Sequence, residues 1–301
     1  NENNDQQLAF KQFATPVENI DFSQPQNDSS AWPLITEVRS KLIPDFYERI
    51  IVRYPEDRDF PYIEGTSKLS PYLAIGALSP RRLLAQLTST IPNILDNTSM
   101  PEFTWLNQLI WRDFYRHLLF HYPALCQHQN FNRKYDALPW PNSQERFEKW
   151  KNAETGYPIV DAAMRQLNET GWMHNRLRMI VASFLTKHLL IDWRWGEAYF
   201  SQKLIDADLA NNNGGWQWAA GTGCDAQPYF RIFNPISQSQ KFDPKGEFIR
   251  KWIPELKAFK DKDIHFPHKL IKANKLSVYW PAMVDHKTAR ENALDFYKSL
   301  P

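Results

Sequence analysis

Three stretches of the sequence set aromatic rings, amides and charged groups at spacings that suit a flat, hydrogen-bonding ligand. In Trp105-Leu106-Asn107-Gln108-Leu109-Ile110-Trp111-Arg112-Asp113-Phe114-Tyr115, Trp105, Gln108 and Arg112 stand at i, i+3 and i+7. One helix face then carries an indole, an amide and a guanidinium, with Trp111 beside Gln108. That stripe suits a pocket for a planar ring system; it equally fits a buried Trp with a surface Arg paired to Asp113. In Gly171-Trp172-Met173-His174-Asn175-Arg176-Leu177-Arg178-Met179, Asn175, Arg178 and Met179 share a face, while Arg176 points elsewhere and could meet a phosphate. His174 has no second His at i+4 and reads as structural rather than as a metal ligand. Asp206-Ala207-Asp208, followed by Asn211 and Asn212, offers an acid/base pair, a metal pair, or ion-pair partners for Arg178.

A fourth stretch, Gly65-Thr66-Ser67-Lys68-Leu69-Ser70-Pro71, leads small hydroxylated residues into a helix start. Free N–H groups there suit a phosphate or diphosphate, or serve as ordinary caps. It is neither a Walker loop nor a GxGxxG fingerprint, which argues against a P-loop or Rossmann site. No Ser-His-Asp, Cys-His or zinc spacing occurs, so hydrolysis lacks its players and no metal is expected.

The elements that must position these residues read as helices. Ser70-Pro71 and Ser79-Pro80 mark helix starts, Phe103 to Tyr122 a long helix, Tyr157-Pro158 to Gly171 another, and Leu177 to Ile191 and Ala289 to Tyr297 two more. Asn211-Asn212-Asn213-Gly214-Gly215 reads as a breaker opening an aromatic loop, Trp216-Gln217-Trp218, and Lys257 to Pro281 as a surface tail. No hairpin signal occurs, so the fold class is all-α. Residues 1–30, rich in Asn, Gln, Asp and Ser, read as a linker cut from a longer chain, and 31–301 as one helical domain.

With 36 Lys plus Arg against 34 Asp plus Glu, any nucleic-acid footprint must be local. Two cysteines outside any ligand spacing suit a reducing cytoplasm, and no run of eighteen apolar residues suggests a membrane span. Twelve Trp and nineteen Phe are either core or stacking surfaces; composition does not choose.

Taken in order, Gly65-Thr66-Ser67 through Leu69-Ser70, Trp111-Arg112-Asp113-Phe114-Tyr115, Gly156-Tyr157-Pro158-Ile159-Val160-Asp161-Ala162, Trp172 to Arg176, Asp206-Ala207-Asp208-Leu209 and Asn212 to Trp218 resemble the signatures of DNA photolyases and cryptochromes, and among them of the class I dimer photolyases. The likeness runs from about Tyr54 to about Pro254. It implies an all-helical domain that binds FAD in a folded, U-shaped form, the reduced form being active. By this resemblance Tyr54, Thr66, Ser67, Lys68, Leu69, Ser70 and Trp105 bind FAD, together with Arg112, Arg178, Asp206, Ala207, Asp208 and Asn212. Asn212 would face the flavin N5 edge, with the Arg178–Asp206 pair beside the ring system.

The resemblance further implies that a cyclobutane pyrimidine dimer in DNA is extruded into a pocket beside the flavin, as the handling of flipped bases by this enzyme class requires. Trp111 and Trp218 would wall that pocket, with Gln108, Tyr115, Asn175 and Met179 lining it. Arg58, Arg176, Arg231 and Gln238 would hold the DNA backbone. Trp216, Trp193 and Trp140 match a relay that carries electrons from the surface to the flavin. The chain is expected to work as a monomer without a membrane.

Two departures stand out. Gln108 replaces the Glu usual in dimer photolyases and predicts a lower repair yield; Gln there is also a feature of (6-4) photolyases and animal cryptochromes. Asn175, where (6-4) enzymes carry His, favours the dimer-specific form over those alternatives. The α/β antenna domain of the family is absent from this chain, so an antenna folate or deazaflavin is expected only if the parent protein has that domain.

Overall fold

A helix starts well where an extended residue carrying a side-chain acceptor precedes an apolar-periodic run, and the described residues, 32–300 of this computed structural model, follow that rule repeatedly. The linker expected over residues 1–30 lies outside the described residues. In chain order the main helices are α1 (Ser70–Ala74), α2 (Pro80–Thr90), α3 (Phe103–His121), α4 (Gln144–Lys151), α5 (Pro158–Thr170) and α6 (Asn175–Ser183). They continue with α7 (Trp193–Lys203), α8 (Leu209–Ala220), α9 (Pro235–Phe242), α10 (Glu247–Trp252) and α11 (His286–Lys298). The described residues contain no strand, as the all-α expectation requires.

Side-chain caps fix most of these starts. Ser143, Asp192, Asn234 and Asp285 each accept from a backbone N–H two or three residues on, before α4, α7, α9 and α11. The helix expected to end at Gly171 does so: that glycine adopts φ +67° and stops α5 in a left-handed turn. Ser79 occupies the N-cap position of α2 but makes no side-chain cap bond, and α1 begins at Ser70 itself, so neither serine caps as expected.

Two sequence readings are overturned. Asn211 to Trp218 is no breaker and loop but the body of α8. Asp208 caps it, Gly221 ends it at φ +84°, and tertiary packing overrides the poor propensity of three Asn and two Gly. A Cβ at Gly214 would fall on the ring of Tyr115 from α3, and one at Gly196 on the ring of Trp216, so both glycines are sites of close helix approach. Nor is 257–281 only a surface tail. Ile264 is fully buried, buried His265 bonds Ser239 Oγ through Nδ1 at 2.7 Å, and the Tyr279 hydroxyl donates to buried Asp161. The helix expected through Ile191 ends at His188, its last five residues wound as a π turn.

Two large hydrophobic cores result, with a small third cluster of Tyr135, Leu138 and Tyr297. The larger gathers α5, α6 and α8 around Met164, Leu177, Trp193 and Trp216. The smaller packs Phe46, Leu83, Leu87, Trp105 and Leu109 beneath α3. α8 touches α3, α6 and α7, so its N-terminus is where residues from both cores can meet.

Candidate cofactor and DNA-binding site

Asp208, at that N-terminus, faces two ways. One carboxylate oxygen caps α8, accepting from Asn211 N at 3.1 Å and Asn211 Nδ2 at 2.6 Å. The other accepts from Arg112 Nη2 at 2.8 Å and Arg116 Nη2 at 2.9 Å, both on α3. Burial opposes ionisation of this carboxyl, yet Arg116, the Asn211 N–H and Arg112 outweigh it and hold the group below its ordinary range. Arg112 also donates to Leu73 O at 3.2 Å, tying α1 to the site, and its buried Nε has no partner among the described residues.

Two residues earlier, buried Asp206 receives Arg178 Nη2 on both oxygens, at 3.0 and 2.8 Å. Arg178 Nε is fixed on Met173 O at 2.8 Å, just before α6. Of the readings open for the acidic pair, the geometry selects ion pairing, with Ala207 between the two pairs; Arg112 joins Asp208 rather than Asp113. No group of three or more His, Cys, Asp or Glu is placed to hold a metal among the described residues.

Thr66, Ser67 and Lys68 stand in the loop ahead of α1, the helix that Arg112 bonds through Leu73 O. Among the described residues their backbone N–H groups have no partner, and Lys68 bends the chain at φ +50°. α1 has only five residues, so the attraction for a phosphate comes from these N–H groups more than from a helix dipole. Leu69 is buried beneath them and Ser70 opens α1. Trp105 lies in the smaller core, its ring 5.2 Å from Phe46 and 5.6 Å from Tyr47, and Tyr54 reaches the same Phe46 at 6.2 Å. Trp105 thus supports the site from behind. The unpartnered N–H row, the free Arg112 Nε and two fixed guanidinium–carboxylate pairs are a donor set that fits the diphosphate and hydrogen-bonding ring edge of FAD.

Asn212 donates both amide hydrogens to α7, to Glu197 O and Ser201 Oγ at 2.9 Å each, so Oδ1 is the atom it has available. Gln108 likewise turns its amide nitrogen back to Thr104 O at 3.0 Å and offers Oε1. Trp111 is 36% exposed and inclined to Tyr115 at 6.0 Å. Burial pushes the Tyr115 phenol up to about 12, so it stays protonated. Asn175 Nδ2 points to Met179 Sδ at 3.9 Å, one turn along α6. Trp218 is half-buried against Phe233 at 6.4 Å.

The basic rim is partly gathered. Arg176 lies 4.2 Å over the ring of Phe242 and pairs with Asp59 at 2.7 Å, beside Arg58, whose guanidinium stands 5.8 Å from the Tyr54 ring. Gln238 is one turn before Phe242 on α9, with its buried Oε1 unpartnered among the described residues. Arg231 is exposed on the loop before α9. Trp193 and Trp216 are both buried in the larger core and Trp140 packs half-buried at its edge; no ring contact joins the three among the described residues.

Sequence reasoning missed Arg116, Asp59 and Glu197. Arg116 was detectable, being i+4 from Arg112 on the same face. Asp59 and buried Glu197, which receives Asn213 Nδ2 at 2.9 Å, carry no local signal.

Residues 105–299 match the model of a family described as the FAD binding domain of DNA photolyase. The deoxyribodipyrimidine photo-lyase of Vibrio cholerae is 53% identical over 92% of this chain, and that of Escherichia coli 49% over 95%. The chain spans 59% and 60% of those two proteins. A bacterial class III photolyase from Agrobacterium tumefaciens superposes with a TM-score of 0.81 at 44% identity, over 89% of this chain and 56% of its own. With the family model matched from α3 to α11 and half the residues shared with named photo-lyases, the chain belongs to the family of FAD-binding domains of DNA photolyases.

Proposed function

We propose that this chain is the cofactor and substrate domain of a light-driven enzyme that repairs cyclobutane pyrimidine dimers in DNA. The observation that carries the reading is the pair of ion pairs, Arg112–Asp208 and Arg178–Asp206, their carboxylates two residues apart at the head of α8 in a chain of this family. When bound, reduced FAD supplies a light-excited electron that opens the cyclobutane ring and then returns.

The chain's own residues hold and enclose. Thr66, Ser67, Lys68 and Arg112 clamp the diphosphate, and Asn212 Oδ1 accepts a hydrogen from the ring edge. Arg178, kept in place by Asp206 and Met173 O, sets positive charge where negative charge gathers on the ring system. Trp111, Tyr115 and Trp218 exclude water and stack on the extruded dimer, while Asn175 and Gln108 Oε1 meet its polar edges. Arg58, Arg176, Arg231 and Gln238 hold the backbone, Arg176 being oriented by Asp59, and such phosphate contacts carry no sequence readout.

Residues 31–301 act as this domain and 1–30 as a linker, and the protein works as a monomer in the cytoplasm. Exposed Cys126 and half-buried Cys224 are unbridged, as a reducing compartment permits. The test is to load the chain with FAD, reduce it, and illuminate it with oligonucleotides carrying a cyclobutane dimer or a (6-4) product. Loss of the dimer alone is expected. Loss of the (6-4) product alone reassigns the substrate, and flavin uptake with neither repaired points to a blue-light receptor.

A further inference from the structure

The indole in ring contact with Trp216 is not Trp193 but Trp150. Their centroids are 6.2 Å apart at 71°, and Trp150 is fully buried. It lies nearly parallel to Phe147 and Phe200, at 5.8 and 6.3 Å, and meets Tyr199 edge-on at 5.8 Å. Gly196 makes this possible, since any side chain there would displace the Trp216 ring.

We propose that Trp150 is a fourth redox-active indole, a side branch that shares the oxidising hole left on Trp216; this rests on the reading that the chain binds FAD. One electron passes from Trp216 to the light-excited oxidised flavin. An electron from Trp150 then fills the Trp216 cation, so Trp150 is oxidised and Trp216 restored. Trp150 keeps its proton, because its Nε1–H faces Val181 O at 3.3 Å, an amide oxygen and no base. The hole goes no further. The Tyr199 hydroxyl bonds Asn168 Oδ1 at 2.5 Å, an amide that takes no proton. Lys151 and Lys203 place their ammonium groups 5.8 and 5.9 Å from the Tyr199 ring centroid, which disfavours a second positive charge there, although Glu148 pairs with Lys151 at 2.8 Å and offsets part of this. The branch is therefore closed at its outer end and reversible, and it delays return of the electron to Trp216.

Trp193→Phe removes the expected outward route and leaves the hole on Trp216 and Trp150. Recombination then proceeds only from the fraction on Trp216, so a hole held mostly on Trp150 lives about threefold longer. After flash excitation of FAD-loaded protein, the tryptophan-radical absorbance should decay about threefold faster in Trp193→Phe/Trp150→Phe than in Trp193→Phe. Tyr199→Phe should leave it unchanged. Equal lifetimes in the first two proteins, with FAD bound, overturn this inference alone; a preparation that takes up no FAD overturns the cofactor reading with it. Should Trp150→Phe lose its helical circular dichroism, electron–nuclear double resonance on Trp193→Phe decides. Spin density on two indoles supports the branch, and on Trp216 alone overturns it.

Discussion

At the residue scale the site depends on partially buried charges, of which Asp208, Arg112 and Arg178 are each met by more than one partner. Removing one partner of such a group costs more than the pair contributes, because the other charge stays desolvated. Asp208→Asn leaves Arg112 and Arg116 facing each other without an anion and keeps the α8 cap through the Asn oxygen. FAD affinity should fall about tenfold or more while the fold persists, as a flavin fluorescence titration beside circular dichroism would show. The Asp208 carboxyl is held below its ordinary range, so the stability from its ion pairs is present above the unfolded-state value and lost as pH falls through the folded one. Gln108 offers the opposite case. Its amide is satisfied by Thr104 O, which an ionised Glu would be repelled by. Gln108→Glu should therefore turn toward the dimer pocket and raise the repair yield per photon by about twofold or more; an unchanged yield would refute the role given to this side chain.

At the element scale α8 shows what the residues alone did not reveal. Local propensity argued for a breaker at Asn211 to Gly215, because Asn and Gly are poor helix formers and nothing in the string states that Tyr115 and Trp216 must fit against bare backbone. Long periodic helices such as α3 and α5 were legible, since their spacing and caps are local. So were Arg112, Arg178, Asp206 and Asp208 as charged candidates, and the family resemblance paired Arg178 with Asp206 as the structure does; that Arg112 and Arg116 meet Asp208 was not legible, being a matter of how α3 crosses α8. Gly214→Ala should destabilise the protein by roughly 1–3 kcal/mol through overpacking against Tyr115, whereas Gly215→Ala, with open space at its Cβ, should stabilise α8 by up to about 1 kcal/mol. Urea melts of the two variants make the comparison direct.

His174 links pH to the same helices. Its Nδ1 caps α6 by accepting from Arg176 N at 3.2 Å, and burial pulls its imidazole down to about 4. The unfolded chain then binds a proton that the folded one refuses, so the contribution to stability is intact above about 6.5 and declines as pH falls toward 4. At pH 5 the loss is roughly 2 kcal/mol. His174→Asn retains a capping acceptor without the titration and should flatten that part of the profile of unfolding midpoint against pH.

At the scale of the whole molecule, contacts distant in sequence close the larger core. Asp161 accepts from Thr155 N and Oγ1, Gly156 N and the Tyr279 hydroxyl, so the segment ahead of α5 is locked to one more than a hundred residues later. Burial still pushes that carboxyl up to about 6. Lys187 is buried with its amine 2.8 Å from Ala220 O and 3.6 Å from the Tyr297 ring centroid, and desolvation drives its pKa far down. The unfolded chain holds a proton there across the neutral range, so the burden of burying this group grows as pH falls. Lys187→Met should raise stability by about 1–4 kcal/mol at pH 7, and less at pH 9, since the Tyr297 hydroxyl still donates to Ala220 O. Calorimetry at the two pH values tests both the size and the trend.

The seat of Tyr297 on the C-terminal end of α8 also bears on how the protein is made. During synthesis the helix that carries Asn212 is made 77 residues before the tyrosine that covers its end. Until Tyr297 arrives Ala220 O stands open to water, so cofactor capture should follow the synthesis of α11 rather than accompany that of α8.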